Sequence, residues 1–530
     1  VNILDLGASD GAIAKWLTVQ FPDARVDCVE LNEHRAAKAR KRVGAHGQVK
    51  VGRAEDAPHL FEPGTYDAVV AFELIEHVPD VDQLLDACER MVKPGGRIYL
   101  STPDGTWGHG NNPAHLRVYR LQDLADVLRR RGRVVSIMSA PDQITCAAYT
   151  PTRRGPEVVI HTAGGWQRWH PTDVALKGLG GSETWATRLA EHLDDLGCVV
   201  TVYGEVEDCL HQGAIFRHHE RWDPTVPCDL FIASRAPQLI DARPRARTSL
   251  LWVHDVDCGD HLTPERADRF DHVVSLSGWH DTHLQGRYPF LGSRLLRSRN
   301  GIEHGMFRPL AWKDRKPRLL YTSSPDRGLD VMLELWPRVR EGLPAGLRDE
   351  AVFSFCYPDV YDAVADQQPQ IAAHRDRIRR LSEQPGVERL GSLPQPTLAA
   401  VMCDSRVWAH PSWCTSHPTP DGGTFAGPFH ETSCIGAVEA QAAGMHVVAS
   451  GWGALKETVR YGHLLDAGDP TEARWRDAMV TSIVEGLADP GTGNAAVDKA
   501  PPAVADLSWR GVAEQVLAVY ASLTGRKAVA

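Results

Sequence analysis

Short apolar runs alternate with longer amphipathic stretches along almost the whole of this 530-residue chain. The runs include Val1–Leu6, Asp67–Phe72, Arg97–Ser101, Val158–His161, Val199–Tyr203, Leu250–His254, Val273–Ser277, Arg318–Thr322, Val407–His410 and His446–Ser450. Stretches with helical spacing separate most of them, such as Val81–Val92, Glu183–Leu196, Gly328–Arg340 and Ile435–Ala443. A run too short for a helix and apolar on both faces fits a strand inside a parallel sheet, and the helical stretch returns the chain to start the next strand. The pattern restricts the chain to the α/β class. Parallel sheets bind ligands at the carboxyl ends of their strands, so the loops that follow strands are where function is expected.

At roughly 100–200 residues per domain, the length predicts about three domains. The polar stretch Pro151–Pro156 is one boundary, and the region Phe307–Pro317, just before a fresh apolar run, is a second. They divide the chain into 1–152, 153–310 and 311–530. The Gly/Ala/Pro-rich segment Asp489–Ala503 reads as a loop before a last helix at about Leu507–Leu523, and Pro411–Phe429 as a long loop.

Hydrophobic residues make up 43% of the chain and the net charge is −10, so each domain can bury an ordinary core. An acidic protein has no general electrostatic reason to bind nucleic acid or an anionic membrane, and neither is expected. The 11 cysteines are scattered singly, with no C-x-x-C pair. That argues against a disulfide framework or a structural zinc and fits a cytoplasmic location. No apolar run reaches bilayer length and no signal peptide is read. The chain opens at Val1 directly on a strand, as a fragment or trimmed chain would.

The first run ends in Asp5-Leu6-Gly7-Ala8-Ser9-Asp10-Gly11, followed by a helical stretch. Glycines there let the backbone turn tightly and approach a ligand. Glu30 lies about 20 residues on, at the end of the second run, where a carboxylate can hold ribose hydroxyls or stand solvated. Ala54-Glu55-Asp56, then Phe72-Glu73-Leu74-Ile75-Glu76-His77-Val78, then Lys93-Pro94-Gly95-Gly96 follow in order. With these five motifs, residues 1 to about 150 resemble the class I S-adenosylmethionine-dependent methyltransferases. The resemblance implies a Rossmann-like fold. Asp5, Gly7 and Gly11 would form the methionine and ribose end of the site, Glu30 would hold the ribose, and Glu55 or Asp56 would face the adenine. Phe72 and Glu73 would line the methyl-transfer face. Ser9 stands where the family has its middle glycine, Arg53 where it often has an acid, and the lid helices that usually precede the first strand are lacking. His77 and His115 are candidates for the base that oxygen methylation needs, or are packing and loop-orienting residues.

In the second half, Gly178-Leu179-Gly180-Gly181-Ser182-Glu183 opens a helix and reads either as a phosphate cradle or as a flexible loop. Far along the chain, Glu431 and Glu439 lie eight apart across a loop-to-helix junction, followed by Ala440-Gln441-Ala442-Ala443-Gly444-Met445-His446-Val447-Val448-Ala449-Ser450. This resembles the retaining GT-B glycosyltransferases of family 4, from about Val158 to the C-terminus, with His446 in place of the usual proline. Asn300-Gly301-Ile302-Glu303, Arg327-Gly328-Leu329-Asp330 and His410-Pro411-Ser412 belong to the same resemblance. It implies an acceptor-side lobe at 153–310 and a donor-side lobe at 311–530. Glu431 would hold donor-sugar hydroxyls and Glu439 the nucleotide ribose. Arg327 would grip the diphosphate, with Gly180, Gly181, Thr322, Ser323 and Gly436 completing the donor site. Thr322 and Ser323 stand where the family has its second cation. His254 matches a strand-end histidine near the reaction centre in relatives, or is a satisfied loop histidine. Asp255-x-Asp257-Cys258-x-Asp260 resembles a metal cluster, but in a two-lobed context a solvated loop is the favoured reading, and no metal is expected.

The expectation is a bifunctional transferase. It would move a sugar from a nucleotide sugar to a glycan or small-molecule acceptor and a methyl group from S-adenosylmethionine. The alternatives are glycosyl transfer alone beside a degenerate methyltransferase domain, and a non-catalytic nucleotide-sugar-binding scaffold.

Overall fold

The computed structural model describes residues 1–104, 114–129, 131–139, 144–151, 155–165, 168–356, 369–418 and 424–525. The alternation of apolar runs resolves into three α/β sheets.

The first sheet comprises Asn2–Leu6 (β1), Arg25–Glu30 (β2), Val49–Val51 (β3), Tyr66–Phe72 (β4), Val92–Pro103 (β5), Gly132–Ser139 (β6) and Ile144–Pro151 (β7). Its order is β3-β2-β1-β4-β5-β7-β6, with β7 antiparallel to both neighbours and the other pairs parallel. Leu4, Val69 and Ile98 are fully buried along its centre, as strands covered on both faces require. Strand order reverses between β1 and β4, so their carboxyl ends open a crevice. Helix Ala12–Gln20 (α1) starts there, and helix Leu121–Arg129 (α2) flanks β6. The Lys93–Gly96 turn is drawn into β5, whose pairing with β4 shifts register between Tyr66 and Ala68.

The second sheet comprises Glu157–His161 (β8), Val199–Gly204 (β9), Cys209–His211 (β10), Ala214–His218 (β11), Cys228–Ser234 (β12), Ala246–Trp252 (β13), His272–Ser275 (β14) and Leu295–Arg297 (β15). Its order is β10-β11-β9-β8-β12-β13-β14-β15, all parallel except β10. The reversal falls between β8 and β12, and helix Gly181–Asp195 (α3) follows β8. The first two sheets are tied together by Arg129 at the end of α2. It is buried and donates to the carbonyls of Gly213 and, at 2.8 Å, Val200.

The third sheet comprises Lys316–Tyr321 (β16), Val352–Cys356 (β17), Val387–Gly391 (β18), Ser405–His410 (β19), His446–Ser450 (β22) and His463–Leu465 (β23), ordered β18-β17-β16-β19-β22-β23 and all parallel. Trp413–Pro418 (β20) and Thr424–Pro428 (β21) form a separate antiparallel hairpin. Much of the expected Pro411–Phe429 loop is therefore strand, with residues 419–423 outside the described ones; residues 152–154 of the Pro151–Pro156 boundary also lie outside them.

Helices Ile435–Ala442 (α4), Pro490–Ala503 (α5) and Trp509–Thr524 (α6) complete this part. The loop expected at Asp489–Ala503 is thus a helix. Its prolines and glycines misdirect the sequence reading, because Pro490 and Gly493 have helical uses. Asp489 caps the helix by accepting from Thr492 N at 2.7 Å, and Pro490 occupies the first turn, where its missing N–H is not needed. Gly493 is there because a Cβ would fall 1.9 Å from the Trp312 ring. Helix α6 crosses back: Trp509, Val512, Val516 and Tyr520 join the core of the second sheet, and Tyr520 donates to Asp229 at 3.2 Å. Residues 311–530 thus contribute to the cores of both the second and the third sheet.

Candidate functional site

The crevice of the first sheet is built by the exits of β1, β2 and β4. Gly7 and Ala8 donate from their N–H groups to the Val29 carbonyl at 2.9 and 3.1 Å, which turns the chain sharply after Leu6. Gly7 has φ +73, and a Cβ on it would lie 3.0 Å from Leu74, so the β1 and β4 exits meet there. Gly11 has φ +81 and sits against helix Glu33–Val43, where a Cβ would fall 2.7 Å from Ala39 Cα. Ser9, in the place of the middle glycine, also adopts a left-handed conformation with φ 51.

Glu30 is buried, and its two oxygens accept from Ser9 N at 2.8 Å and Asn32 N at 2.9 Å. Asp5 is buried beside it, its Oδ2 without a partner among the described residues, and burial together with Glu30 pushes its carboxyl up to about 7. Glu55 and Asp56 form a 3-10 turn after β3, and Arg53 pairs with buried Glu55 at 2.9 Å. The Arg53 that departs from the family pattern is therefore held by the next carboxylate. Phe72 ends β4 and packs among Ile3, Ala8 and Val70. Glu73 has φ 51 and accepts from Ser101 Oγ at 2.8 Å. His77 places Nδ1 at 2.8 Å from the Ala114 carbonyl and its ring 4.8 Å from that of His115. A carbonyl on Nδ1 fixes the N–H there and leaves Nε2 as the acceptor.

The second site lies between the other two sheets. Gly180 caps α3, and a Cβ on Gly181 would lie 3.8 Å from Ile435, the first residue of α4. Two helix N-termini therefore face each other across the cleft, both presenting unpaired N–H groups and positive dipole ends. Gly436 lies in the first turn of α4, where a Cβ would be 3.2 Å from Thr322 Oγ1. Thr322 follows β16 and accepts from Trp408 Nε1 at 2.9 Å, which frees its proton for another acceptor. Ser323 comes next, before the 3-10 turn Pro325–Arg327.

Arg327 Nη1 lies 3.0 Å from Glu431 Oε1, and its guanidinium stacks 4.3 Å from the centre of the Phe429 ring. His410, at the end of β19, reaches the same Glu431 oxygen at 3.2 Å. Burial alone would raise the Glu431 carboxyl, but Arg327 and His410 outweigh it and hold it at about 2. Among the described residues no such cation meets Glu439. Burial pushes it up to about 7, partly opposed by the Gln395 amide, which donates at 3.3 Å.

His254 follows β13 on the opposite wall. Thr432 donates to its carbonyl at 2.9 Å, which brings His254 next to Glu431. Its ring meets Trp185 edge-on at 4.6 Å, and its buried Nε2 has no hydrogen-bond partner among the described residues. Burial, with Arg235 and His280, lowers it to about 3, so the imidazole is neutral at physiological pH.

Sequence reasoning missed Arg188, Arg235 and Gln395. Arg188 on α3 donates to Gln395 at 2.9 Å, and Gln395 in turn meets Glu439. Arg235, in a left-handed conformation after β12, forks onto Asp255 with two bonds of 2.8 Å and donates to Ser182 at 3.1 Å. It places a second cation beside the α3 N-terminus. Asp255, Asp257 and Asp260 turn to separate partners: Arg235, Gly259 N with His283, and Arg287.

Residues 4–100 match the family described as "Methyltransferase domain". The curated relatives include a "Ubiquinone biosynthesis O-methyltransferase" from Dechloromonas aromatica (strain RCB), 35% identical over 103 residues, covering 19% of this chain and 44% of that protein. The enzyme of the same description from Pseudomonas aeruginosa (strain UCBPP-PA14) is 34% identical over 103 residues, again covering 19% of this chain and 44% of its own. The chain thus spans under half the length of these relatives. Among solved structures, a sucrose-phosphate synthase from Thermosynechococcus elongatus aligns with 70% of this chain and 100% of its own at 15% identity and a TM-score of 0.51. The N-terminal part is a methyltransferase domain, and the remainder has the two-lobed GT-B fold.

Proposed function

We propose that the chain is a bifunctional transferase. Its two-lobed part moves a sugar from a nucleotide sugar to a hydroxyl acceptor, and its N-terminal domain methylates a sugar or small-molecule acceptor. The observation that carries the first activity is the convergence of Arg327 with the N-termini of α3 and α4. A departing nucleoside diphosphate needs positive charge fixed in advance, and a forked guanidinium with two helix dipoles supplies it without a metal. Glu431, ionised through Arg327 and His410, accepts from donor-sugar hydroxyls, since a carboxylate is acceptor-only. Glu439 does the same for the ribose. In the transfer the bond from the anomeric carbon to the diphosphate breaks, and the acceptor oxygen bonds to the same face. The acceptor's proton passes to the leaving phosphate oxygen, giving net retention with no protein nucleophile. Neutral His254 lines that face.

The N-terminal crevice fits a nucleoside cofactor. The Glu30 carboxylate is fixed by two backbone donors, the unpartnered Asp5 oxygen opens beside it, and Gly7 and Gly11 keep the approach clear. S-adenosylmethionine bound there supplies an electrophilic methyl group. Glu30 would hold its ribose, Asp5 its methionine end, and Glu55 or Asp56 its adenine. His77, with Nε2 as acceptor, takes the acceptor's proton. No helix among the described residues is long and apolar enough to cross a membrane, and a cytoplasmic location fits both co-substrates.

A thermal-shift screen of UDP-, GDP- and dTDP-sugars, with and without S-adenosylmethionine, tests both halves. A ligand at 100 times its Kd stabilises its domain by about 2.7 kcal/mol. Absence of any shift with every sugar nucleotide would remove the glycosyltransferase reading, and absence of a shift with S-adenosylmethionine the methyltransferase one.

A further inference from the structure

Glu205, His218 and His219 meet at the carboxyl edge of the second sheet. Glu205 follows β9, His218 ends the adjacent parallel strand β11, and His219 opens the turn after it. His218 Nε2 lies 3.3 Å from Glu205 Oε1, and His219 Nε2 lies 3.3 Å from Glu205 Oε2. One donor atom from each residue falls within 4.8 Å of the other two. The His218–Glu205 contact is a long hydrogen bond, beyond the about 2.7–2.9 Å of a tight charge-assisted one. Two ligands of one tetrahedral ion, each bound at about 2.0–2.1 Å, stand about 3.3–3.4 Å apart. Each imidazole nitrogen thus stands from a Glu205 oxygen at a distance that two ligands of one ion can also adopt.

The surroundings suit that use. All three side chains are half-buried, with 21–30% of their surface exposed, so an ion can reach them and still be partly desolvated. His218 Nδ1 lies 3.7 Å from Glu220 Oε2, a charge contact beyond hydrogen-bond distance that adds negative potential beside the group. The His218 backbone is anchored by donation to Asp208 at 2.8 Å. Gly164 faces the group: a Cβ there would stand 3.5 Å from His219 Nε2 and 3.9 Å from Glu205 Oε2, so the glycine leaves the approach open.

We propose that Glu205, His218 and His219 form a binding site for a divalent transition metal of the zinc class, with three protein ligands and a fourth position open to an oxygen ligand. Two imidazoles and one carboxylate suit zinc and its first-row neighbours and do not suit calcium or magnesium, which prefer oxygen donors. The site is distinct from the sugar-nucleotide cleft. His254 leaves the same edge from β13, three strands beyond β9, or about 14 Å at the usual strand spacing.

The test is metal stoichiometry on the full chain. Protein stripped with chelator is dialysed against micromolar zinc and assayed by elemental analysis, then titrated with cobalt(II) and followed by visible absorption. The variants are H219A, E205A and the near-isosteric E205Q, each checked by its thermal melt in metal-free buffer. The proposal expects H219A and E205A to hold one equivalent of zinc fewer than wild type and to lose the low-coordinate cobalt bands, with E205Q weakened at least tenfold. Wild-type stoichiometry and bands in H219A and E205Q would overturn it, as would a wild-type chain that retains no zinc. Because other His-containing groups also bring potential ligands together, the difference between wild type and variant is the deciding quantity.

Discussion

Arg327 and Glu431 form a 3.0 Å ion pair although 104 residues separate them, and the pair fixes a cation and an anion side by side at the mouth of α4. Glu431 is nearly buried while Arg327 is about one-third exposed, so the guanidinium keeps donors for a ligand. R327A should lower kcat for sugar transfer by about 10²–10³-fold, the usual cost of losing one fixed donor to developing charge. R327K should recover part of this, since a point charge cannot reproduce the fork. Steady-state kinetics with the donor identified by thermal shift decides it, and R327A with an unchanged kcat refutes the assigned role.

Glu439 gives the proposed donor site a pH signature. Its carboxyl is pushed up from 4.5 to about 7 by burial, and only the ionised form accepts from both ribose hydroxyls. Donor affinity should therefore weaken as pH falls through 7, by up to tenfold per unit below it. E439Q should bind weakly at every pH and lose this dependence. Stability runs the other way. A carboxyl whose folded pKa lies above its unfolded one is unpenalised below pH 4.5, and its penalty grows as pH rises to 7. Ligand-free E439Q should exceed wild type in stability at pH 8 by on the order of 3 kcal/mol, with the gap closing toward pH 4.5. Denaturant melts at both pH values measure it.

In the methyltransferase domain, G11A combines a left-handed backbone with a 2.7 Å approach to Ala39 Cα. It should destabilise that domain by about 2–4 kcal/mol. Gly95 is the control: its φ is +76 but a Cβ there meets nothing within 4 Å. G95A should cost only the backbone strain, about 1–2 kcal/mol. Equal losses in urea melts of the two variants would contradict the packing argument.

Glu30 is held by Ser9 N and Asn32 N, so it is poised before any cofactor arrives. E30A should raise the Kd for S-adenosylmethionine by about 10–100-fold, the worth of charged hydrogen bonds to ribose. Sugar-nucleotide binding should be unchanged, and calorimetry of both ligands on the one variant checks both statements.

The sheets were legible because apolar runs buried on both faces leave a continuous hydrophobic signature, and the exits of β1, β2, β16 and β19 carry short-range motifs. On that basis the Gly7–Gly11 loop, Glu30 and Arg327 could be set at strand exits, and Glu431 and Glu439 across a loop-to-helix junction. What escaped was long-range. Gln395 joins Arg188 to Glu439 across 207 and 44 residues, and nothing local marks it. Glu205 meets His218 and His219 only because β9 and β11 pair in parallel. The helix at Pro490–Ala503 was hidden because Pro490 fills the first turn behind the Asp489 cap and Gly493 serves a tight packing contact, while composition alone suggests a loop.

The central claim is two independent co-substrate sites on one chain. The most direct measurement is calorimetric titration of S-adenosylmethionine and of the stabilising sugar nucleotide into wild type, E30A and E439A. The account predicts one equivalent of each ligand per wild-type chain, with E30A losing only S-adenosylmethionine and E439A only the sugar nucleotide. Failure of either ligand to bind wild type, or loss of both ligands from one correctly folded variant, would contradict it.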